Sequence, residues 1–178
     1  MVMSRSSFEA AVARYQRRVF TLARYLLSDP SEAEDITQEV LVRLWNKPEM
    51  IDSECLGAWL LKVTRNACYD RLRIAKSRAR FLSSAADKPG DLNVSDGDPD
   101  PETLAQAAQF NRQLKAALAE LDEPFRSVVV LREIQDLSYR EISEVLDITL
   151  GTVKVTLHRG RRKLREKMRK VMRHAAAC

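Results

Sequence analysis

The chain has 178 residues, of which 45% are hydrophobic and 31% charged, enough for one globular domain or two small ones. Its net charge is +5 with a pI near 9.3, and Glu166 is the only acid between Lys154 and Arg173, so positive charge gathers toward the C-terminus and favours an anionic partner such as nucleic acid. The sequence has no apolar run of membrane-spanning length and no apolar signal segment in MVMSRSSFE, and Cys55, Cys68 and Cys178 lack metal-ligand spacing to His158 or His174; this argues against membrane insertion, a disulfide frame and a zinc site, and predicts a cytoplasmic protein with reduced thiols and no cofactor.

Ser6 and Glu9 have the spacing of a capping box, and Phe8, Val12, Tyr15, Val19, Leu22 and Leu26 recur at helical steps, so a first helix is predicted from about Ser7 to Leu27. Ser28 to Ser31 stops it and opens a second helix with Pro30 or Ser31 near its entrance. That helix carries an apolar stripe of Ile36, Val40 and Leu44 with Leu41 and Trp45, and a polar face of Asp35, Gln38, Glu39 and Arg43 that periodicity alone reads as solvated. Lys47 to Ser53 forms a loop. A third helix, Glu54 to about Arg80, is strongly basic through Lys62, Arg65, Arg71, Arg73, Lys76, Arg78 and Arg80, a candidate nucleic-acid surface; Trp59 and Tyr69 read as packed aromatics.

Composition then changes. Ser83 to Glu102 has three prolines, two glycines, many acids and no aromatic, and reads as a linker. Helical periodicity resumes at Thr103 through Leu104, Ala107, Phe110, Leu114, Leu118 and Leu121, and a short helix follows from Phe125 to Ile134. Ser138 and Glu141 form a second capping-box signature for a helix from Tyr139 with Ile142, Val145 and Leu146 buried; Asp147-Ile148-Thr149 breaks the pattern, and Thr149 can cap a last helix with Val153, Leu157 and Leu164 inside. Its other face holds Lys154, Arg159, Arg161, Arg162, Lys163 and Arg165, and its first turns hold Thr152, Lys154 and Thr156, the pattern of a helix-turn-helix whose second helix enters the major groove.

The order of DITQEVLVRLW, LGAWLLKVTRNACYDRLR, an acidic linker and LDEPFRSVVVLREIQDLSYREISEVLDITLGTVK resembles the extracytoplasmic-function group of bacterial sigma factors, the small two-domain specificity subunits of RNA polymerase. The resemblance implies an all-α fold: sigma domain 2 in residues 1–82, a flexible acidic linker over 83–102, a four-helix domain 4 over 103–173, and a tail, 174–178. It also implies that Asp35, Gln38, Glu39 and Arg43 dock on core RNA polymerase, which overturns the solvated reading of that face. Asn66, Asp70 and Arg71 would sit at the minus-ten element of promoter DNA, with the loop Met50, Ile51, Asp52 and Ser53 capturing a base turned out of the duplex. Arg132, Lys154, Val155, Thr156, His158 and Arg159 match the family's minus-thirty-five readers, joined by Thr152 from the helix-turn-helix face. The chain departs from the family at Val155 and Thr156, where a serine and an arginine are usual: Thr156 lacks a bidentate donor, and Val155 offers only an apolar contact, such as one to a thymine methyl. An anti-sigma factor is the further partner implied.

Two other functions compete. An ordinary helix-turn-helix regulator leaves Pro30 to Arg80 without a task, and a sigma mimic that titrates an anti-sigma factor leaves the basic last helix unexplained. An enzyme is disfavoured, because there is no Gly-rich phosphate loop, paired acid/base constellation or metal cluster.

Overall fold

The computed structural model describes residues 5–27, 29–47, 49, 54–81 and 101–176. Regular structure among the described residues is entirely helical: α1 (Arg5–Leu26), α2 (Pro30–Trp45), α3 (Leu56–Phe81), α4 (Pro101–Ala119), α5 (Phe125–Val129) running into a wide π-helical turn (Val130–Ile134), α6 (Tyr139–Leu146) and α7 (Leu150–Ala176). Helices α1 to α3 pack as one cluster and α4 to α7 as a second; most of the sequence expected to link them, residues 82–100, lies outside the described residues.

Apolar stripes set each helix in place. Val19, Leu22, Ala23 and Leu26 of α1 close on Ala33, Ile36, Val40 and Leu44 of α2 and on Leu56, Leu60, Leu61 and Cys68 of α3. Buried hydroxyls on these helices are satisfied locally, Thr37 Oγ1 donating to the Ala33 carbonyl and Thr64 Oγ1 to that of Leu60, each at 2.7 Å. Burial pushes the Cys68 thiol up to about 12, with Glu32 adding to the effect, so this cysteine behaves as an apolar core group. Trp45 departs from its expected place in the stripe: it is 50% exposed and lies edge-on to Phe8, with ring centroids 5.0 Å apart.

Several helix ends follow their sequence signals. Asp29 Oδ1 accepts from the Ser31 amide at 2.7 Å, and Pro30 takes the first helical position, where its missing N–H costs nothing. Ser6 is not a cap, because α1 has already begun at Arg5. Pro101 likewise opens α4, two residues ahead of the expected start. At α6 the reciprocal capping box forms: Ser138 Oγ accepts from the Glu141 amide at 3.3 Å and Glu141 Oε2 from the Ser138 amide at 2.7 Å, which holds the Glu141 carboxyl below its ordinary range. Asp147 ends α6 with φ 56° and ψ 49°, a left-handed conformation that aspartate tolerates, and Thr149 Oγ1 caps α7 by accepting from the Thr152 amide at 3.2 Å.

The C-terminal cluster turns on one close approach. Gly160 of α7 sits so near α5 that a Cβ there would lie 2.8 Å from Val129 Cγ2 and 3.4 Å from the Phe125 carbonyl oxygen, whereas at Gly151 the nearest atom, Thr149 Oγ1, would be 3.8 Å away. Gly160→Ala should therefore lower stability by about 1–3 kcal/mol through forced separation of α5 and α7. Gly151→Ala should be neutral or stabilising, by up to about 1 kcal/mol, because alanine favours the helix. Urea titrations of the two variants would check this; equal stabilities would contradict the described packing.

Candidate nucleic-acid and partner interfaces

Helix α2 turns its polar face outward, with Glu39 half-buried. Asp35 and Gln38 are exposed, and Glu39 Oε1 lies 2.5 Å from Arg43 Nη2 in an i,i+4 ion pair. Val42, 59% exposed, and Trp45 stand beside them, so a contiguous surface offers both charge and uncovered apolar area. That combination suits a protein partner: apolar area gains on burial, and the polar groups set orientation.

Helix α3 divides its basic residues between two tasks. Lys62 Nζ stands 3.6 Å from Asp147 Oδ2, and Arg65 reaches Glu123 Oε2 at 3.1 Å and Ser127 Oγ at 3.2 Å, so both are turned toward the second cluster. Asn66 and Asp70 are exposed; Asn66 Oδ1 accepts from Arg65 Nη1 at 3.3 Å, and Asp70 pairs with Arg73 at 3.0 Å. Arg71 is half-buried beside them in sequence. The expected base-capturing residues Met50, Ile51, Asp52 and Ser53 lie outside the described residues.

The setting of α7 separates its face into three groups. At about 100° per residue, the buried residues Val153, Thr156, Leu157 and Gly160 occupy one arc against α5 and α6. Opposite that arc lie Gly151, Val155, His158 and Arg162, all exposed, with Lys154 and Arg159 on its two sides. The edges are held to the body of the unit: Arg161 donates from Nε and Nη2 to Glu133 Oε1 at 2.9 and 2.7 Å, which raises its guanidinium pKa, and Lys163 Nζ lies 4.6 Å from the centre of the Phe125 ring. Arg161 and Lys163 are therefore not part of the free cationic face the sequence suggested.

Two of the expected minus-thirty-five readers have other surroundings. Thr156 is 7% exposed, on the arc that packs inward, and this corrects the expectation that it faces DNA; the helix is rotated so that its β-branched neighbour Val155 takes the outward place at 51% exposure. Arg132 donates from Nη1 to the Leu137 carbonyl at 2.7 Å and stacks 5.6 Å from the centre of the Tyr139 ring, so it fixes the turn that leads into α6. Thr152, Lys154, His158 and Arg159 are exposed. The Glu133–Arg161 pair and the Glu123 cluster have no local sequence signal, because their partners come together only on folding. Among the described residues no group of three metal-ligating side chains occurs, and no helix is long and apolar enough to cross a membrane.

Comparison with known proteins gives these surfaces a context. Residues 11–78, within α1 to α3, match Sigma-70 region 2, and residues 111–164, from α4 into α7, match Sigma-70 region 4, so the chain carries two sigma-factor regions. It is 35% identical over 164 residues to the ECF RNA polymerase sigma factor SigE of Mycolicibacterium smegmatis, covering 92% of this chain and 62% of that protein, and 31% identical over 168 residues to SigW of Bacillus subtilis, covering 92% and 89%. With both modules and such relatives, the chain belongs to the ECF family of RNA polymerase sigma factors, which direct transcription and are not enzymes. Among solved structures, the fold is similar to that of RpoE in its complex with the anti-sigma factor NepR from Bartonella quintana (TM-score 0.70, 23% identity, 91% of this chain and 96% of that one). It is also similar to that of CnrH bound to the cytosolic domain of CnrY (TM-score 0.62, 24% identity, 92% and 88%).

The burial of Thr156 reverses the effect expected of an arginine there. Thr156→Arg should lower the melting temperature and weaken DNA binding to all sequences alike, since a buried guanidinium without a partner costs several kcal/mol or forces α7 outward. Thermal melts beside binding titrations would check this; a variant of unchanged stability with higher affinity would contradict the placement of Thr156.

Proposed function

We propose that this chain binds core RNA polymerase through the outward face of α2 and directs initiation at promoters by reading a minus-ten element with α3 and a minus-thirty-five element with a helix-turn-helix made of α6, Asp147–Thr149 and α7. The observation that carries this reading is the presence, in one chain and in this order, of both matched sigma regions on separate helical clusters. In this reading residues 1–82 are domain 2, 83–102 the connecting segment, 103–173 domain 4 and 174–178 a tail. Asp35, Gln38, Glu39 and Arg43 form the polymerase contact, supported by their exposure beside Val42 and Trp45. Asn66, Asp70 and Arg71 are assigned to minus-ten DNA, with Met50 to Ser53 as the base-capturing loop. An anti-sigma factor is a further proposed partner, by analogy with the NepR complex of the similar RpoE.

The helix-turn-helix assignment is supported by the capping box at Ser138, the left-handed Asp147 and the Thr149 cap, which together make a tight connection between α6 and α7. With Thr156 inside, the proposed readers on α7 are Thr152, Lys154, Val155, His158 and Arg159. Lys154 and Arg159 lie about 140° apart around the axis, so they serve opposite walls of the groove. Val155 is central between them and has no polar atom to offer a base edge. Its available discrimination is the thymine C5-methyl group, which only an A·T pair presents in the major groove.

Run-off transcription with core polymerase, with and without the protein, tests the function as a whole: promoter-dependent transcripts should appear only when it is added. In co-elution with core polymerase, the double variant Gln38→Ala/Glu39→Lys should lose most of its binding while its melting curve stays within a degree or two. The Glu39–Arg43 pair it breaks is an exposed one of the kind worth about 0.3–0.5 kcal/mol. Undiminished binding would remove the docking assignment. For the minus-thirty-five element, replacing each thymine in turn by deoxyuridine deletes one methyl group and nothing else. At the thymine Val155 touches, this should weaken binding by roughly fourfold, equivalent to about 0.8 kcal/mol for one buried carbon, and should have no effect on Val155→Ala. Equal tolerance of every deoxyuridine by both proteins would exclude methyl readout.

A further inference from the structure

Helix α7 outruns the residues that match Sigma-70 region 4, which end at 164, and continues to Ala176. The continuation packs on α4 and keeps a fixed setting: Leu164 and Val171 are half-buried on its inner side, and Lys167 Nζ donates to Glu120 Oε2, just past the end of α4, at 2.8 Å. At 100° per residue, this setting puts Arg162, Arg165, Arg169 and Arg173 within about 40° of the line directly opposite Gly160. All four are exposed, and the same line carries the exposed Val155 and His158 nearer the start of the helix.

The cations of α7 fall into two sets. Arg161 is held by Glu133, Lys167 by Glu120 and Lys163 by the face of Phe125, whereas among the described residues none of the four outward arginines has an ion-pair partner. Glu166, the only acid between Lys154 and Arg173, stands to one side of their line. Like charges three and four residues apart weaken a helix, so an anionic partner laid along this line relieves a repulsion that the fold leaves in place. Beside the last turns, Glu166, Arg169, Lys170 and Arg173 line an open recess of about 290 Å³.

We infer that Arg162, Arg165, Arg169 and Arg173 form a phosphate rail, which grips the sugar-phosphate backbone of the duplex flanking the minus-thirty-five element without reading its sequence. The inference rests on the function proposed above. From Val155 to Arg173 the helix advances about 27 Å, more than twice the roughly 12 Å width of the major groove. A straight helix with Val155 against base edges therefore leaves the groove at its other end, and the wall it crosses there is phosphate. Continuity with Val155 and His158 on one line selects DNA over an acidic protein surface as the occupant. Arginine suits the task, because its planar fork matches two phosphate oxygens at once. The rail also offsets what the reading face lacks. Val155 has no polar atom for a base edge and Thr156 is buried, so few base contacts are available, and phosphate contacts supply affinity and register in their place.

The test compares the wild-type chain with Arg169→Gln/Arg173→Gln, two exposed positions beyond the matched region whose replacement leaves the core intact. The full chain, alone and joined to core polymerase, is titrated on a promoter duplex at several salt concentrations. Each phosphate contact contributes about 0.9 to the salt slope, so two contribute roughly 1.8; from about 50 to 200 mM salt the wild-type affinity should fall about twelvefold more than the variant's. Single-base changes within the minus-thirty-five element should cost both proteins the same factor. Trimming the duplex on one side of that element should erase the difference between the two proteins, and trimming the other side should leave it. Arg14→Gln/Arg17→Gln, which removes the same charge from exposed positions on α1, should keep the wild-type slope. Equal slopes for wild type and the α7 variant, an equal loss from the α1 variant, or a difference that survives trimming of both flanks would overturn the rail. Unchanged DNA binding with weakened assembly on polymerase would overturn it too, in favour of an acidic protein surface. If the wild-type chain does not join core polymerase, the proposed function fails instead, and the slopes measured on the chain alone still decide the rail.

Discussion

The rotational setting of α7 is the constraint on which the C-terminal unit depends. A helix of 27 residues with basic groups around much of its circumference has no unique orientation by charge alone. The close approach at Gly160, where Val129 and the Phe125 carbonyl occupy the space a side chain would need, removes that freedom. Once Gly160 faces α5, Val153, Thr156 and Leu157 must face inward as well, and the outward line of Val155, His158 and Arg162 follows from the helical period. The two bonds from Arg161 to one carboxylate oxygen of Glu133 then brace one edge and Lys163 over Phe125 the other. A surface that reads a groove to within an ångström needs this kind of support, because even a few degrees of rotation about the axis shift the tip of a side chain by a good part of an ångström, on the order of half of one.

Cohesion within the clusters and cohesion between them are of different kinds. Inside each unit the helices are held by fully buried leucines, isoleucines and valines, whose burial gives about 1.5–3 kcal/mol per side chain. Although the apolar cluster continues through both units, the named bonds that cross between them come from arginine, glutamine, tyrosine and glutamate side chains. Such bonds are satisfied equally well by water once separated, so their net contribution is small compared with their number.

Elements and surfaces were legible in the sequence to different degrees, for physical reasons. Caps and stripes are local, so the capping box at Ser138, the Thr149 cap, the Pro30 entrance and the buried Ile36, Val40 and Leu44 could all be read from spacing. Ser6 had the same spacing as Ser138 and is not a cap, because a helix that already extends to Arg5 leaves no free first turn for it to close. Trp45 is ambiguous in sequence because large aromatics satisfy an apolar stripe and an exposed edge alike, and its edge contact with Phe8 comes only with the fold. At Thr156 the spacing is silent: a threonine between Val155 and Leu157 is compatible with either side of the helix, and the side is set by Gly160, whose close neighbours Val129 and Phe125 lie on another helix. The pairings of Arg65 and Arg161 have no sequence signal, since an ion pair across a tertiary contact leaves no trace in periodicity.

Helix α3 concentrates the conflict between these demands. One of its faces is core, through Leu60, Leu61, Ala67 and Cys68; the next, through Lys62, Arg65 and Tyr69, is turned to the C-terminal unit; the remainder, through Asn66, Asp70 and Arg73, is open. The last two faces meet at Asn66, whose Oδ1 accepts a bond from Arg65 Nη1 at 3.3 Å. Arg65 can hold Glu123 and Asn66 only while its guanidinium stays near both, so the orientation of the Asn66 amide is coupled to the arrangement of the two units. A base-edge contact from that amide needs its donors and acceptor in one fixed orientation. The packing of the C-terminal unit on α3 thus reaches, through Arg65, an acceptor on the very face proposed to meet the minus-ten element.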